Sequence, residues 1–372
     1  MKYDLTQARK CIETLDKRRF DRALLGSGDA FRHIVSLVPL LLHLNHPALP
    51  GYVEDAPAGI ADFILSNYQQ NFLSKEHPEL VEAVQSAVNS DAVFSPILGI
   101  YVMGSFGSIS QTSASDLDIW VCHQDELSEQ DQQRLAEKTK KISQWASTYH
   151  VEMHFYLMTQ KRFRNERYSD PLTKENSGSA QYMLLLEEFY RSAVRLSGKP
   201  LLWLHFWVED EKQYEAEVSR LVAAGQLNPN DWVDFGGLGQ FSASEYFGAS
   251  LWQLYKGIDS PYKSVMKILL LETYAQEYPN AHLIARQFKE DLLSGRSTAV
   301  HHFDPYIAIL ERISQYLTAH SEFKRLDFVR SCFYVKATED FALYHASNWR
   351  ISYMKMMAQE WGWSKERIEE LD

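Results

Sequence analysis

Apolar and polar positions in the first ninety residues recur at helical spacing. Residues 5–25 carry mixed charges and stop at Gly26-Ser27-Gly28. Residues 30–44 are strongly apolar and end before His46-Pro47, where proline disfavours further helix. A connection holding Pro and Gly, 47–59, follows, and two more helices are expected near 61–73 and 78–88. The middle third has a different pattern. Strand-like runs occur at 97–103, 116–122, 151–157 and 201–208, and helical patterns at 126–149 and 179–196 separate the later ones. The polar, basic stretch 161–174 reads as a mobile loop, a candidate lid. From about residue 210 the pattern is helical again. Ser242-Ala243-Ser244-Glu245 fits a capping box, and helical runs are expected at 242–256, 261–278, 281–294, 305–319, 323–336, 347–360 and 364–371. No internal repeat or low-complexity tract is visible. The pattern predicts an α+β chain in three parts: an N-terminal helical region (1–92), a core with a small mixed sheet and flanking helices (93–210), and a C-terminal helical domain (211–372).

Composition narrows this picture. The chain has 372 residues, 45% of them hydrophobic, enough to bury a sizeable core. Its 38 Lys and Arg against 49 Asp and Glu give a net charge of −11, which argues against nucleic acid as a partner. A small anion held by a few local cations remains compatible. Cys11, Cys122 and Cys332 lie far apart and fit neither a metal knuckle nor a disulfide framework. No N-terminal signal is visible, and no apolar run approaches the roughly 20 residues of a membrane span. The expectation is a soluble, cytoplasmic protein.

The candidate chemistry lies in the middle third. The apolar run 97–103 leads into Gly104-Ser105, a short Ser-rich loop, and then Asp116-Leu117-Asp118-Ile119-Trp120-Val121. On a strand, residues i and i+2 share a face, so Asp116 and Asp118 project together. Two adjacent carboxylates repel unless cations lie between them, and hard oxygen ligands suit Mg²⁺. The flanking Ile119, Trp120, Val121 and Cys122 look like a covered strand, where a carboxylate needs a partner. Glu152, between Val151 and Met153 in the next strand-like run, can complete a three-acid site for two Mg²⁺ ions roughly 3.5–4 Å apart. If a helix starts at Gly104-Ser105, its free N–H groups form an anion pocket that glycine opens to a phosphate. His154 shares a face with Glu152 and reads as a core histidine.

Lys263 and Lys267 sit at i and i+4 among apolar neighbours. They form either a cationic clamp on a triphosphate tail or a charged stripe at a helix edge. Arg191 and Arg195 follow Glu187-Glu188 and read as intrahelical ion pairing. Trp252, Tyr255, Tyr262 and Tyr274 form an aromatic band that is mostly core, with Tyr262 the candidate to stack on a nucleobase.

The pattern at Gly104-Ser105, Asp116-Leu117-Asp118 and Glu152 resembles the nucleotidyltransferase superfamily that includes DNA polymerase beta. More specifically, the chain is similar to the N-terminal catalytic region of the class I adenylate cyclases of enteric and related bacteria. The likeness rests on residues 101–105 (YVMGS), 115–124 (SDLDIWVCHQ), 245–256 (EYFGASLWQLYK) and 260–265 (SPYKSV). Upstream, Leu41-Leu42-His43, His46-Pro47 and Leu49-Pro50-Gly51-Tyr52 add to it. The resemblance implies conversion of ATP to 3′,5′-cyclic AMP and pyrophosphate with two Mg²⁺ (or Mn²⁺) ions. Asp116 and Asp118 then bridge both ions and Glu152 holds the one nearer the nucleophile. Gly104, Ser105, Lys263 and Lys267 neutralise the triphosphate, and the helical part after residue 210 closes over the nucleotide. The resemblance also implies a C-terminal regulatory region, absent here, linked to the glucose-specific phosphotransferase enzyme IIA. The chain is thus a catalytic fragment or a reduced family member. Two other classes stay open: transfer of AMP to a small molecule or protein, and nucleotide binding without catalysis.

Overall fold

The computed structural model describes residues 4–25, 27–82, 84, 95–112, 115–165, 182–239, 241–296, 299–339 and 349–371. Three helices open the chain: α1 (Leu5–Leu25), α2 (Asp29–His43) and α3 (Asn67–Glu76). The third starts later than the expected residue 61. Ser66 and Gln69 close a capping box there, which satisfies N–H groups at that point. After a single 3₁₀ turn, Pro78–Leu80, the remainder of the expected helix at 85–88 lies outside the described residues.

Four strands form one mixed sheet: β1 (Ile97–Met103), β2 (Leu117–His123), β3 (Met153–Met158) and β4 (Val194–Gly198), in the order β3-β2-β1-β4. β1 runs antiparallel to β2 and β4, and β2 parallel to β3. Between them lie α4 (Glu129–Ser147), α5 (Gln160–Asn165) and α6 (Tyr182–Ser192). The α+β class with a small mixed sheet is what the pattern predicted.

Three local expectations are corrected. Residues 201–208 are not a strand but hold a short helix, α7 (Leu202–His205), followed by irregular chain. Every residue there is buried, and an apolar run without alternation cannot distinguish strand from buried helix. The fourth strand is instead β4, which the helical pattern of α6 had absorbed. Its Gly198 has φ +87°, and a Cβ there would meet the Leu98 carbonyl oxygen at 2.5 Å, so only glycine allows this approach. Lys161, expected in a loop, lies on α5; one buried residue, Phe163, packs that helix against Trp120 and Phe235. The rest of that loop, 166–174, lies outside the described residues.

The remaining elements are helical: α8 (Tyr214–Ala223), α9 (Ala243–Lys256), α10 (Pro261–Gln276), α11 (Ile284–Ser294), α12 (Pro305–Ala319), α13 (Phe323–Thr338), α14 (Trp349–Glu360) and α15 (Lys365–Glu369). The expected capping box at Ser242 and Glu245 is present and opens α9. Helix α10 packs on α9, α12 and α13, and α12 packs on α13.

Both sheet faces are covered, which explains the nearly unbroken apolar strands. Ile100, Val102, Ile119, Val121 and Met153 face α2 and α4. Tyr101, Met103, Trp120 and Cys122 face α6 and the C-terminal helices, and Trp120 stacks on Phe189 with ring centroids 4.0 Å apart. Alternation puts Asp118 and Asp116 on this second side, toward the helical part. Among the described residues no helix is long and apolar enough to cross a membrane.

Candidate active site

The end of β1 sets the site. Met103 pairs with Asp118 across the sheet, and the chain then turns at Gly104 with φ +86°. A Cβ on Gly104 would lie 3.9 Å from Asp118 Oδ2, so the turn passes beside that carboxylate. No helix begins there, so the condition for an anion pocket of free N–H groups is not met; residues 104–110 form successive turns. The Gly104 N–H donates to Ser192 Oγ at 3.0 Å, so it is not a free anion donor. Ser105 is buried, and its carbonyl accepts from the Ser108 hydroxyl at 2.7 Å. Small hydroxyl side chains fold this loop inward, where a helix would have left N–H groups open.

The loop is tied to distant elements. The Ile109 N–H donates to Asp304 Oδ2 at 2.8 Å, and Arg22 of α1 donates to the same oxygen at 3.1 Å. Asp304 Oδ1 accepts from the N–H groups of Tyr306 and Ile307, capping α12. Arg350 donates to the Ile109 carbonyl at 3.1 Å.

Asp116, Asp118 and Glu152 all line one cleft of about 600 Å³, together with Gly104, Ser105, Lys263 and Lys267. That size suits a nucleotide. Asp116 and Glu152 lie one residue ahead of β2 and β3, so both stand at the sheet's rim and are exposed. Asp118 is partly buried and accepts from the Tyr156 hydroxyl at 3.4 Å. Burial and then the like charge of Asp116 push the Asp118 carboxyl above its ordinary range, while His154, Lys267 and Lys263 act against them. The sheet register puts His154, not Glu152, beside Asp118. Glu152 is 70% exposed and stands 3.1 Å from His154 Nε2. Among the described residues no group of three His, Cys, Asp or Glu is gathered closely enough to hold a metal ion. The donor chemistry nevertheless fits a divalent cation. Asp116 and Asp118 are hard oxygen donors whose mutual repulsion such an ion relieves.

The two lysines of α10 differ. Lys267 Nζ donates to Glu188 Oε1 at 2.7 Å. Burial pulls its pKa down, but Glu188 and Tyr306 together oppose it and the net direction is up. Lys263 is half-buried with its Nζ 5.8 Å from the centre of the Tyr306 ring. Tyr262 is exposed and is not among the cleft residues. Tyr274 is core: its hydroxyl donates to Glu187 at 3.2 Å. Arg191 pairs with Glu187 inside α6, as expected, whereas Arg195 belongs to β4 and pairs with Glu13 at 3.1 Å. The cleft also holds residues that sequence reasoning missed: Glu188, Lys256, Tyr306 and the ion pair Lys336–Glu339. Lys256 was visible as a basic residue ending the helix that opens with the capping box. The others carry no motif of their own.

An acidic strand end and a lysine-bearing helix thus share one nucleotide-sized cleft. Residues 4–204 match the family model described as adenylate cyclase NT domain, and residues 241–372 match adenylate cyclase, class-I, second domain. The chain belongs to the class-I adenylate cyclase family. It is 66% identical to an adenylate cyclase of Haemophilus influenzae, over 100% of this chain and 45% of that protein. To an adenylate cyclase of Pasteurella multocida it is 59% identical, with the same coverage. To one of Escherichia coli K12 it is 44% identical over 97% of this chain and 42% of that protein. The chain therefore spans less than half the length of these curated relatives. No solved structure matches it.

Proposed function

We propose that this chain converts ATP to 3′,5′-cyclic AMP and pyrophosphate by attack of the ribose 3′-oxygen on the α-phosphorus of the same nucleotide. The observation that carries the reading is the shared cleft: Asp116 and Asp118 at the sheet's rim, Lys263 and Lys267 on α10, in a chain of the class-I adenylate cyclase family. Asp116 and Asp118, with Glu152, are the residues that would hold Mg²⁺ or Mn²⁺, whose chemistry is to acidify a hydroxyl and offset phosphate charge. Lys263 and Lys267 bind the triphosphate and balance charge on the departing pyrophosphate. Gly104 keeps the strand end open to the nucleotide. As the O3′–P bond forms, the bond from the α-phosphorus to pyrophosphate breaks, and the hydroxyl proton passes to solvent. Holding both reacting atoms on one ligand makes the step unimolecular, so the walls of the cleft need mainly to fix the ribose and exclude water.

The test is product identity. The protein is given ATP with Mg²⁺ or Mn²⁺ and the products are weighed by mass spectrometry. Cyclic AMP is the expected product, and Asp118→Asn should reduce its rate by at least about a thousandfold while the far-ultraviolet circular dichroism stays unchanged. AMP attached to an acceptor would replace cyclisation by intermolecular transfer. Nucleotide binding with no turnover in either metal would refute catalysis by this chain.

A further inference from the structure

The catalytic reading gives no role to Glu188, one of the carboxylates of the cleft. Glu188 lies near the end of α6 with its side chain 15% exposed on the cleft wall. A negative charge beside a triphosphate site repels the ligand unless it serves another group. Here it serves Lys267, whose Nζ donates to Glu188 Oε1 at 2.7 Å. The next cation, Arg191, is committed to Glu187 and stands 3.9 Å from Glu188. An ammonium has three N–H donors; Glu188 takes one and leaves two for phosphate oxygens. Burial alone would favour loss of the Lys267 proton; the charge and hydrogen bond of Glu188, together with Tyr306, turn the net direction upward. One turn further along α6, Ser192 Oγ donates to the Glu188 carbonyl at 2.6 Å and accepts the Gly104 N–H at 3.0 Å. The same helix end thus fixes both Lys267 and the turn beside Asp118.

We propose that Glu188 is a positioning residue for phosphate recognition, holding the Lys267 ammonium in place for the triphosphate. The proposal rests on the nucleotide reading above. Its test is a double-mutant cycle in the full chain: Glu188→Gln, Lys267→Met, both together, and Glu188→Asp as the conservative variant. Two quantities are read: the dissociation constant of a non-hydrolysable ATP analogue with Mg²⁺ by calorimetry, and KM and kcat for cyclic AMP formation. Glu188→Gln should weaken analogue binding and raise KM about tenfold, and kcat should fall as well because Lys267 also balances charge on the departing pyrophosphate. In the Lys267→Met background the same change should add nothing, and Glu188→Asp should recover most of the binding. Tighter binding by Glu188→Gln would make Glu188 a counter-ion that nucleotide displaces, and overturn the proposal. An equal loss with and without Lys267 would also overturn it, leaving a purely structural role. Wild-type protein that binds the analogue but makes no cyclic AMP refutes the cyclase reading while the binding cycle still decides Glu188. Wild type that binds no analogue refutes both.

Discussion

Replacing Asp304 by alanine tests the claim that one buried carboxylate holds three parts of the chain together. Asp304 has no exposed side-chain surface, and its Arg22 partner is 8% exposed. Oδ2 accepts from Arg22 and the Ile109 N–H, and Oδ1 accepts from Tyr306 and Ile307. Loss of the helix cap costs about 1 kcal/mol. Stranding a buried cation by removing its partner costs roughly 3–5 kcal/mol. Arg22 keeps the Val300 carbonyl at 3.2 Å and lies 3.4 Å from the Trp349 ring centre, which softens that loss. Burial already lowers the pKa of Arg22 against the pull of Asp304, so losing the carboxylate leaves burial less opposed. The sum is about 4 kcal/mol, a large part of the roughly 5–15 kcal/mol that holds a domain folded. The assay is urea unfolding followed by fluorescence of the nine tryptophans, read as a shift of midpoint. Asp304→Asn keeps one carbonyl to cap α12 but presents an amide where Oδ2 stood, so it should recover about 1 kcal/mol of the loss. Removing Arg22 as well, in Arg22→Met with Asp304→Ala, should cost less than the two single changes added. Midpoints of Asp304→Ala within about 0.5 kcal/mol of wild type would refute the anchoring argument.

Two further outcomes follow from the geometry. Gly104→Ala forces a side chain into the left-handed region at φ +86° and should cost about 1–2 kcal/mol in urea unfolding while lowering cyclic AMP formation; an equally stable and active variant would show that the turn needs no glycine. Lys289 is fully buried, 4.0 Å from the Trp203 ring centre and 3.3 Å from Glu211, and burial pushes its pKa down to about 8. Its ordinary value is higher, so between about pH 8 and 10.5 the native chain has released a proton that the unfolded chain keeps, and stability from this group rises with pH. Wild type minus Lys289→Met, measured in urea from pH 7 to pH 10, should therefore grow by up to about 3 kcal/mol; a flat difference would refute the assignment.

Periodicity located the helices where one face is apolar and a cap or proline marks the end. The bounds of α1 and α12 are as the pattern placed them, and the capping box of α9 is formed. It failed where local pattern carries no register. Residues 201–208 are apolar on every side, so burial hid the period. β4 follows α6 after one residue, and only its pairing with β1 makes it a strand. The basic stretch at 161–165 looked solvated, yet Phe163 is buried against Trp120 and Arg164 pairs with Glu215 and Asp234.

For the site, the acids were legible because charge inside an apolar strand is expensive and therefore informative. Their placement was less so. Starting β2 at Leu117 and β3 at Met153 moves Asp116 and Glu152 to the rim, and parallel register then sets His154 beside Asp118. In that register Glu152 stands 3.1 Å from His154 and is not beside Asp118. The basic side was legible only as a spacing. Lys263 and Lys267 share a helix, but Glu188, which sets the position of Lys267, lies 79 residues away. Its partner could not be read from local sequence, since Glu187-Glu188 looks like ordinary helix charge pairing, and Glu187 does pair that way with Arg191. Adjacent residues on a helix point about 100° apart, so one glutamate serves the core and the next serves the cleft. The chemistry of such a cleft is therefore set by which of two identical side chains the tertiary packing turns inward, a property that spacing alone does not encode.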